Sequence, residues 1–166
     1  MEIPAGLTVL VSKDKVTVSK GADSLEHYYD SSKVKVAVEA GKVSFAPIGK
    51  QGRRVKSALC TAEAHVRNMI LGLATPYSKK LSLVYAHFPV TVEVKGSDVF
   101  IKNFLGEKLA RKARIAGKTK VKVAGQDITV EGPSKDDVGQ TANNIAKATR
   151  ITNKDIRVFQ DGIYYA

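Results

Sequence analysis

The chain of 166 residues is 43% hydrophobic, so it is long and apolar enough for one packed domain or two small ones. Its 27 lysines and arginines against 16 acidic residues give a net charge of +11. Self-repulsion of that size is relieved by a polyanion, so nucleic acid is the first candidate partner and an anionic membrane surface the second.

The membrane is the weaker of these two candidates. No apolar run approaches the roughly 20 residues that span a bilayer, and residues 1–4 lack the basic and apolar segments of a signal peptide. The single cysteine, Cys60, excludes an internal disulfide and is typical of a reducing compartment. We therefore expect a cytoplasmic protein with no membrane partner.

The first half of the chain predicts two β-hairpins followed by a helix. Apolar residues alternate with polar ones on both sides of each turn, over 7–11 and 16–18 in the first hairpin and over 34–38 and 43–45 in the second. From Leu59 to Leu73 the apolar spacing changes to that of one helix face, and Pro76 ends the helix.

The second half repeats this order of elements. Its two hairpins are indicated by the same alternation over 90–94 and 99–101 and over 121–123 and 128–130. Ser134 and Asp137 then resemble a capping box, which opens a helix with an apolar stripe from Val138 to Ile145. The halves align with an offset of roughly 80 residues, which favours an internal duplication.

The predicted fold class is therefore α+β, with two tandem duplicated domains. Each domain is expected to be a small, mostly antiparallel sheet that a helix covers on one face. The segment from Pro76 to Pro89 carries the boundary, and we place the domains at residues 1–81 and 82–166.

Two glycine-containing motifs resemble phosphate-binding loops. Gly117–Thr119 looks like the end of a P-loop, but that motif needs a glycine where the chain has Lys112, and a helix where it predicts a strand. Gly49–Gly52 resembles the glycine-rich clamp with which KH domains hold single-stranded RNA. A helix precedes that clamp in KH domains, whereas residues 42–47 alternate like a strand. The loop is therefore either a basic strand-to-helix connection or the site of an alternative function, a free-standing KH-like RNA-binding regulator.

No group of residues predicts catalysis. Cys60 and His65 lie five positions apart on the predicted helix, which separates them by roughly 140° around its axis. The histidines at 27, 65 and 87 lack the spacing of metal ligands. We predict no enzyme, no cofactor and no metal site.

Residues 102–122 are the most basic stretch of the chain. They contain eight cations and a single acid, Glu107, whereas an ordinary soluble surface mixes charges of both signs. Phosphate contacts from such a stretch would supply affinity without reading sequence. The charge therefore predicts a binding function, directed at RNA.

Five short blocks carry a more specific signal. They are HVRNMI (65–70), YAHFPV (85–90), NFLGEK (103–108), DVGQT (137–141) and RVFQDGIY (157–164). In this order they resemble the archaeal and eukaryotic form of large ribosomal subunit protein six, over most of the chain from residue 57 onward. Residues 19–30 depart from the Gly-Pro-x-Gly stretch that is usual in that family.

The resemblance implies a structural constituent of the large ribosomal subunit with a duplicated α+β fold. The implied partners are large-subunit ribosomal RNA near the sarcin–ricin loop, neighbouring ribosomal proteins, and the translational GTPases that dock nearby. It implies one copy of the chain rather than a homo-oligomer, and location on the cytoplasmic ribosome.

In that family the second domain makes most of the RNA contacts. The RNA-binding residues that the resemblance implies here are Lys108, Arg111, Lys112 and Arg114 after NFLGEK, and Lys154, Arg157, Gln160, Asp161, Gly162 and Tyr164 after the helix.

The closing segment 156–166 is expected to be ordered and to form part of the binding surface. Residues 158–159 and 163–164 are predicted to anchor a last pair of strands, with Asp161–Gly162 as the turn between them. Arg157 and Gln160 would then face the RNA.

Overall fold

The structure of the protein, a computed structural model, describes residues 1, 3–4, 6–21, 23–39, 41–49 and 52–166. The chain forms two compact units, Met1–Thr75 and Pro76–Ala166. Each unit has a hydrophobic core of its own. Among the described residues, no helix combines the length and the hydrophobicity needed to cross a membrane.

The first unit contains five strands and one long helix. They are β1 (Thr8–Val11), β2 (Lys15–Lys20), β3 (Asp23–Tyr28), β4 (Val34–Glu39), β5 (Lys42–Pro47) and α1 (Arg53–Ala74). Both predicted hairpins are confirmed, as β1–β2 and β4–β5. Strand β3 was not predicted because only Leu25 and His27 alternate toward the interior and the rest of the strand is exposed.

The core of the first unit lies between α1 and the strands. Val66, Ile70 and Leu73 of the helix pack against buried valines such as Val18 and Val43. The helix begins at Arg53, six residues before the apolar stripe that predicted it. The pattern missed these residues because the first turn of the helix is mostly exposed and polar.

The second unit contains seven strands and one helix. They are β6 (Tyr77–Val84), β7 (Thr91–Lys95), β8 (Asp98–Lys102), β9 (Arg111–Arg114), β10 (Lys120–Ala124), β11 (Asp127–Gly132), α2 (Lys135–Ala148) and β12 (Gly162–Tyr165), with a short 3-10 turn at Phe104–Gly106. The strands form two antiparallel sheets, in the orders β7-β8-β9 and β10-β11-β6-β12. Helix α2 is capped by the Ser134 hydroxyl, which accepts a hydrogen bond from Asp137 N as predicted.

The duplicated α+β organisation is confirmed by the order of elements. In each unit a three-stranded sheet is followed by a hairpin and then by a helix, so that β1 to β5 and α1 correspond to β7 to β11 and α2. The second unit adds β6 and β12 to the sheet that contains its hairpin. The sequence-based division between residues 81 and 82 falls inside β6, whose Leu81 lies opposite Ile128 of β11.

We expect the core of the second unit to depend on Ile128, whose side chain is fully buried, far more than on its cross-strand partner Val123, which is 37% exposed. Ile128→Ala removes buried methyl groups and should lower the stability of this unit by about 2–5 kcal/mol. Val123→Ala should cost clearly less. Amide hydrogen exchange of second-unit peptides measures both effects, with first-unit peptides as the internal control. Equal losses for the two variants would contradict this placement of the core.

Candidate nucleic-acid interface

Hydrogen bonds connect strand β9, which carries three of the predicted RNA-binding residues, and the residues just after it to helix α2. Asn144 Nδ2 donates to Arg114 O at 2.8 Å, and Ala116 N donates to Thr141 Oγ1 at 2.9 Å. Arg114, the last residue of β9, therefore lies beside the middle of α2, and the strand and the helix run in opposite directions. Arg111, at the start of β9, consequently lies at the C-terminal end of α2.

Arg111 bridges three parts of the second unit with one guanidinium group. Its Nη1 donates to Ala148 O and Arg150 O, both at 3.0 Å, at the end of α2. Its Nε and Nη2 donate to the Glu107 carboxylate at 2.8 and 2.6 Å, and its central carbon lies 4.4 Å from the centre of the Phe104 ring. The last carbonyls of a helix have no partner within it, so this cation satisfies them. The geometry therefore favours a positioning role for Arg111 over direct contact with phosphate.

The other predicted residues of this segment are more accessible. Lys112 Nζ lies 3.0 Å from Asp98 Oδ2, in a pair whose lysine is 59% exposed. An exposed pair of this kind contributes little to stability, so a phosphate can replace the carboxylate at small cost. The side chains of Lys108 and Arg114 are exposed.

The basic stretch 102–122 does not form one patch. Its residues are divided between the two sheets, with β9 in one and β10 in the other. Several of its cations are ion-paired, among them Lys102 with Glu93, Arg111 with Glu107, Lys112 with Asp98, and Lys122 with Glu131. Three of those acids come from neighbouring strands outside the stretch, so the local charge count overstated the free positive charge.

The segment that follows α2 is held by hydrogen bonds between close neighbours. Arg157 N donates to Asp155 Oδ1 at 2.9 Å, Gln160 Nε2 donates to Arg157 O at 3.2 Å, and Tyr164 Oη donates to Gln160 O at 3.1 Å. The side chains of Lys154, Arg157 and Gln160 are exposed. These contacts form a turn that leads from α2 into β12.

The predicted pair of strands at the C-terminus is wrong, because Gly162–Tyr165 forms a single strand that pairs with β6. Val158 and Phe159 lie instead in a turn, where Phe159 N donates to Asp155 O at 2.9 Å. Asp161 is only 7% exposed, and its carboxylate accepts a hydrogen bond from Ala86 N at 3.1 Å. Asp161 thus anchors the start of β12, which is why it does not form a turn.

Gly162 is also buried, and its role is local packing. A Cβ at this position would lie 3.1 Å from three atoms of the Tyr164 side chain. A Cβ here would therefore require the Tyr164 ring to move by a few tenths of an ångström. Asp161 and Gly162 therefore act by positioning Tyr164: Asp161 holds the start of β12 to Ala86, and Gly162 packs against the Tyr164 ring.

A cleft of about 780 Å³ lies between the end of α2 and this closing segment. Two cations that sequence reasoning missed, Lys147 and Arg150, line it together with Phe159 and Tyr164. Their only signal in the sequence was their position in and just after the last helical turn, where cations are favoured. Both are exposed.

The structure brings the two predicted groups of residues together at the C-terminal end of α2. Arg111 joins the segment around Lys108 to the carbonyl of Arg150, from which the second group continues. Arg114 lies further along the helix, beside Asn144. Apart from Arg114, five exposed cations in and around these segments form no ion pair with any acidic residue in the described part of the chain: Lys108, Lys147, Arg150, Lys154 and Arg157.

Comparison with known proteins identifies the group to which this arrangement belongs. The sequence model of the family described as "Ribosomal protein L6" matches residues 88–162. The chain is 42% identical over 165 residues to "Large ribosomal subunit protein uL6" of Methanocella arvoryzae, covering 99% of this chain and 93% of that protein. The chain belongs to the ribosomal protein L6 family.

Two further relatives of the same description support this assignment. The protein of Methanosarcina mazei is 42% identical over 164 residues, covering 99% of this chain and 93% of its own length. That of Haloquadratum walsbyi is 40% identical over 167 residues, with 99% and 92% covered. The resemblance found in the five sequence blocks is thereby confirmed. The L6 family is one of ribosomal proteins, which bears out the expectation that this chain is not an enzyme.

The KH-like alternative does not gain support from the fold of this L6 family member. Strand β5 precedes the Gly49–Gly52 loop, where a KH domain has a helix. Lys50 and Gln51, the two central residues of that loop, lie outside the described residues. Gly52 precedes α1 in extended conformation, so a residue without a side chain stands at the N-cap of the helix.

The remaining motifs have structural explanations. Gly117 lies at φ +55° in the connection from β9 to β10, and its Cα faces the Asp137 carboxylate so closely that a Cβ would clash. The His65 ring stacks on His27 with 4.0 Å between the ring centres, and Cys60 is an exposed thiol. Within the described ranges, no three His, Cys, Asp or Glu side chains are grouped so as to hold a metal ion.

We expect Arg111→Ala to destabilise the second unit by about 1–3 kcal/mol, because it removes hydrogen bonds to a carboxylate and leaves two helix-end carbonyls without this donor. Lys112→Ala, which removes an exposed ion pair with Asp98 and a distant contact with the Phe100 ring, should cost about 0–1 kcal/mol. Hydrogen exchange across α2 distinguishes the two. The bridging role would be refuted by equal protection of α2 in both variants.

The hydrogen bond from Arg111 holds the pKa of Glu107 below its ordinary value of 4.5. A carboxyl group whose pKa is lowered on folding contributes stability above the unfolded value and loses it as the pH falls through the folded value. The Tm of the native chain should therefore drop more steeply below about pH 4.5 than that of Glu107→Gln. Thermal unfolding between pH 3 and pH 6 tests this, and parallel curves would contradict it.

Proposed function

We propose that this chain is a structural constituent of the large ribosomal subunit and binds its ribosomal RNA mainly through the second unit. The relatives it matches are large ribosomal subunit proteins, and the family model covers most of the second unit. We further propose that the bound RNA lies near the sarcin–ricin loop, close to where translational GTPases dock. A single copy of the chain would sit there, next to neighbouring ribosomal proteins on the cytoplasmic ribosome.

The observation that carries this proposal is the group of five exposed cations at the end of α2. They are Lys108, Lys147, Arg150, Lys154 and Arg157, and no described acidic side chain forms an ion pair with them. Elsewhere in the second unit, lysines such as Lys102 and Lys122 are neutralised across strands. A polyanion that binds this surface releases counterions at each phosphate contact, which supplies affinity without base recognition.

The arrangement also suits folded RNA better than a single strand. The cations lie at the end of a helix, in the segment before β9 and in a hydrogen-bonded turn, so they present positive charge from parts of one folded unit. Double-stranded RNA is recognised chiefly through such phosphate and sugar contacts across its shallow minor groove. The KH-like regulator would instead use the Gly49–Gly52 loop of the first unit.

Two exposed arginines provide a matched test of this proposal. Arg157→Ala, after α2, should lower the fraction of the chain that co-sediments with large subunits, whereas Arg53→Ala, at the start of α1, should leave it nearly unchanged. In binding to purified large-subunit RNA, each lost phosphate contact should flatten the slope of log affinity against log salt by about 0.7–0.9. Equal incorporation of both variants would contradict the assignment of the second unit as the main RNA-binding surface.

Sedimentation of the native chain together with large subunits also decides between the two functions. A structural constituent should sediment with the large subunit and protect folded large-subunit RNA from chemical probes. Recovery of the native chain mostly off the ribosome, on single-stranded RNA, would instead favour the KH-like regulator.

A further inference from the structure

The cleft beside α2 has the size and the composition of a site for a small ligand. Its volume of about 780 Å³ lies within the range of about 300–1,000 Å³ that is typical of such sites. Phe159 and Tyr164 contribute rings that are 39% and 50% exposed, and Ile156 contributes a side chain that is 70% exposed. Both rings are therefore accessible to a ligand that enters this cleft.

The Tyr164 ring is held in one orientation before any ligand binds. Its hydroxyl donates to Gln160 O at 3.1 Å, and the side chain crosses Gly162 at the distance where a Cβ would touch three of its atoms. A ring fixed at both its hydroxyl and its edge loses little conformational freedom when a flat group stacks on it. The arrangement therefore provides a preorganised flat surface.

The charges around the cleft favour an anion. Lys147 and Arg150 are exposed in the same lining, and Lys154 Nζ lies 4.6 Å from the centre of the Phe159 ring. Asp161 is the one acidic residue of the lining, but its carboxylate is buried and accepts a hydrogen bond from Ala86 N. An apolar protein segment would leave these cations unused, whereas a nucleotide presents both a flat base and a phosphate.

We propose that this cleft binds a single unpaired nucleotide of the ribosomal RNA. Its base stacks on Phe159 or Tyr164, and its phosphate lies next to Lys147 and Arg150. Asn143, exposed in the same lining, offers an amide group to the edge of the base. Proteins commonly recognise RNA in this way, by stacking unpaired bases on aromatic side chains and bonding to their edges. The inference rests on the proposed function, since it assigns one nucleotide of the same RNA to this cleft.

The first test uses the full chain with adenosine monophosphate as the probe and inorganic phosphate as the anion-only control. In two-dimensional ¹⁵N–¹H spectra, adenosine monophosphate should shift the amide signals of 147–151 and 159–165. Phosphate should shift only signals close to Lys147 and Arg150. If the nucleotide shifts no more signals in the cleft than phosphate does, the proposal is overturned.

Paired substitutions then isolate the contribution of stacking. Phe159→Leu keeps an apolar side chain but removes the ring, and should weaken binding of adenosine monophosphate about 5- to 150-fold. Phe88→Leu makes the same change at an exposed phenylalanine of the second unit that does not line the cleft, and should have no effect. Phe159→Tyr should retain the affinity. Equal effects of the two leucine substitutions would contradict the site.

The occupant on the ribosome is identified by a photoreactive phenylalanine analogue placed at position 159 of the chain in large subunits. Cross-linking to one nucleotide supports the proposal, whereas cross-linking to a segment of a neighbouring protein overturns it. Affinity for purified large-subunit RNA separates the two levels of inference. If the native chain binds this RNA but the cleft does not bind a nucleotide, only the proposed nucleotide site is contradicted. If the native chain does not bind the RNA, the proposed function is contradicted as well.

Discussion

The guanidinium of Arg111 is the contact on which the candidate binding surface depends. It reaches the carbonyl groups of Ala148 and Arg150 at the end of α2 and, through Glu107, fixes the segment that leads into β9. Two stretches about forty residues apart in sequence are thereby held side by side. The residue that the basic pattern suggested as an RNA contact is better explained as the one that positions the others.

The two units share an order of elements but differ at the edges of their sheets. In the second unit, β6 inserts between β11 and β12, and Thr149 Oγ1 at the end of α2 accepts a hydrogen bond from Ile163 N at 3.0 Å. The pairing of β12 with β6 and the hydrogen bond to Thr149 bring the closing segment next to the end of α2. The cleft lies between these two parts of the chain. In the described part of the first unit no strand corresponds to β6 or β12. Duplication therefore accounts for the shared scaffold, and the added edge strands distinguish the second unit from the first.

The positive charge of the second unit, in a chain whose net charge is +11, is partly neutralised by ion pairs across its sheets. Across the sheets, lysines pair with glutamates and aspartates of neighbouring strands, which limits the repulsion that a basic chain would otherwise experience. At the end of α2 the positive side chains have no such partners among the described acids. The carbonyl end of the helix tolerates these cations, because its dipole is negative there. The cations at this helix end are thus exposed and free of ion pairs with the described acids.

The sequence by itself determined the fold class, the hairpins, the capped start of α2 and the family. Those features depend on neighbours in the chain: alternation of apolar residues, a serine three positions before an aspartate, and short blocks in a set order. Strands β3 and β9 were missed because few of their side chains are apolar, and β6 was missed because the polar run 78–80 interrupts its apolar alternation. Only the tertiary structure decided which cations are neutralised, that Arg111 supports the surface, and that Lys147 and Arg150 share a cleft with Phe159 and Tyr164. Those relations depend on distances between residues far apart in sequence, which no local pattern contains.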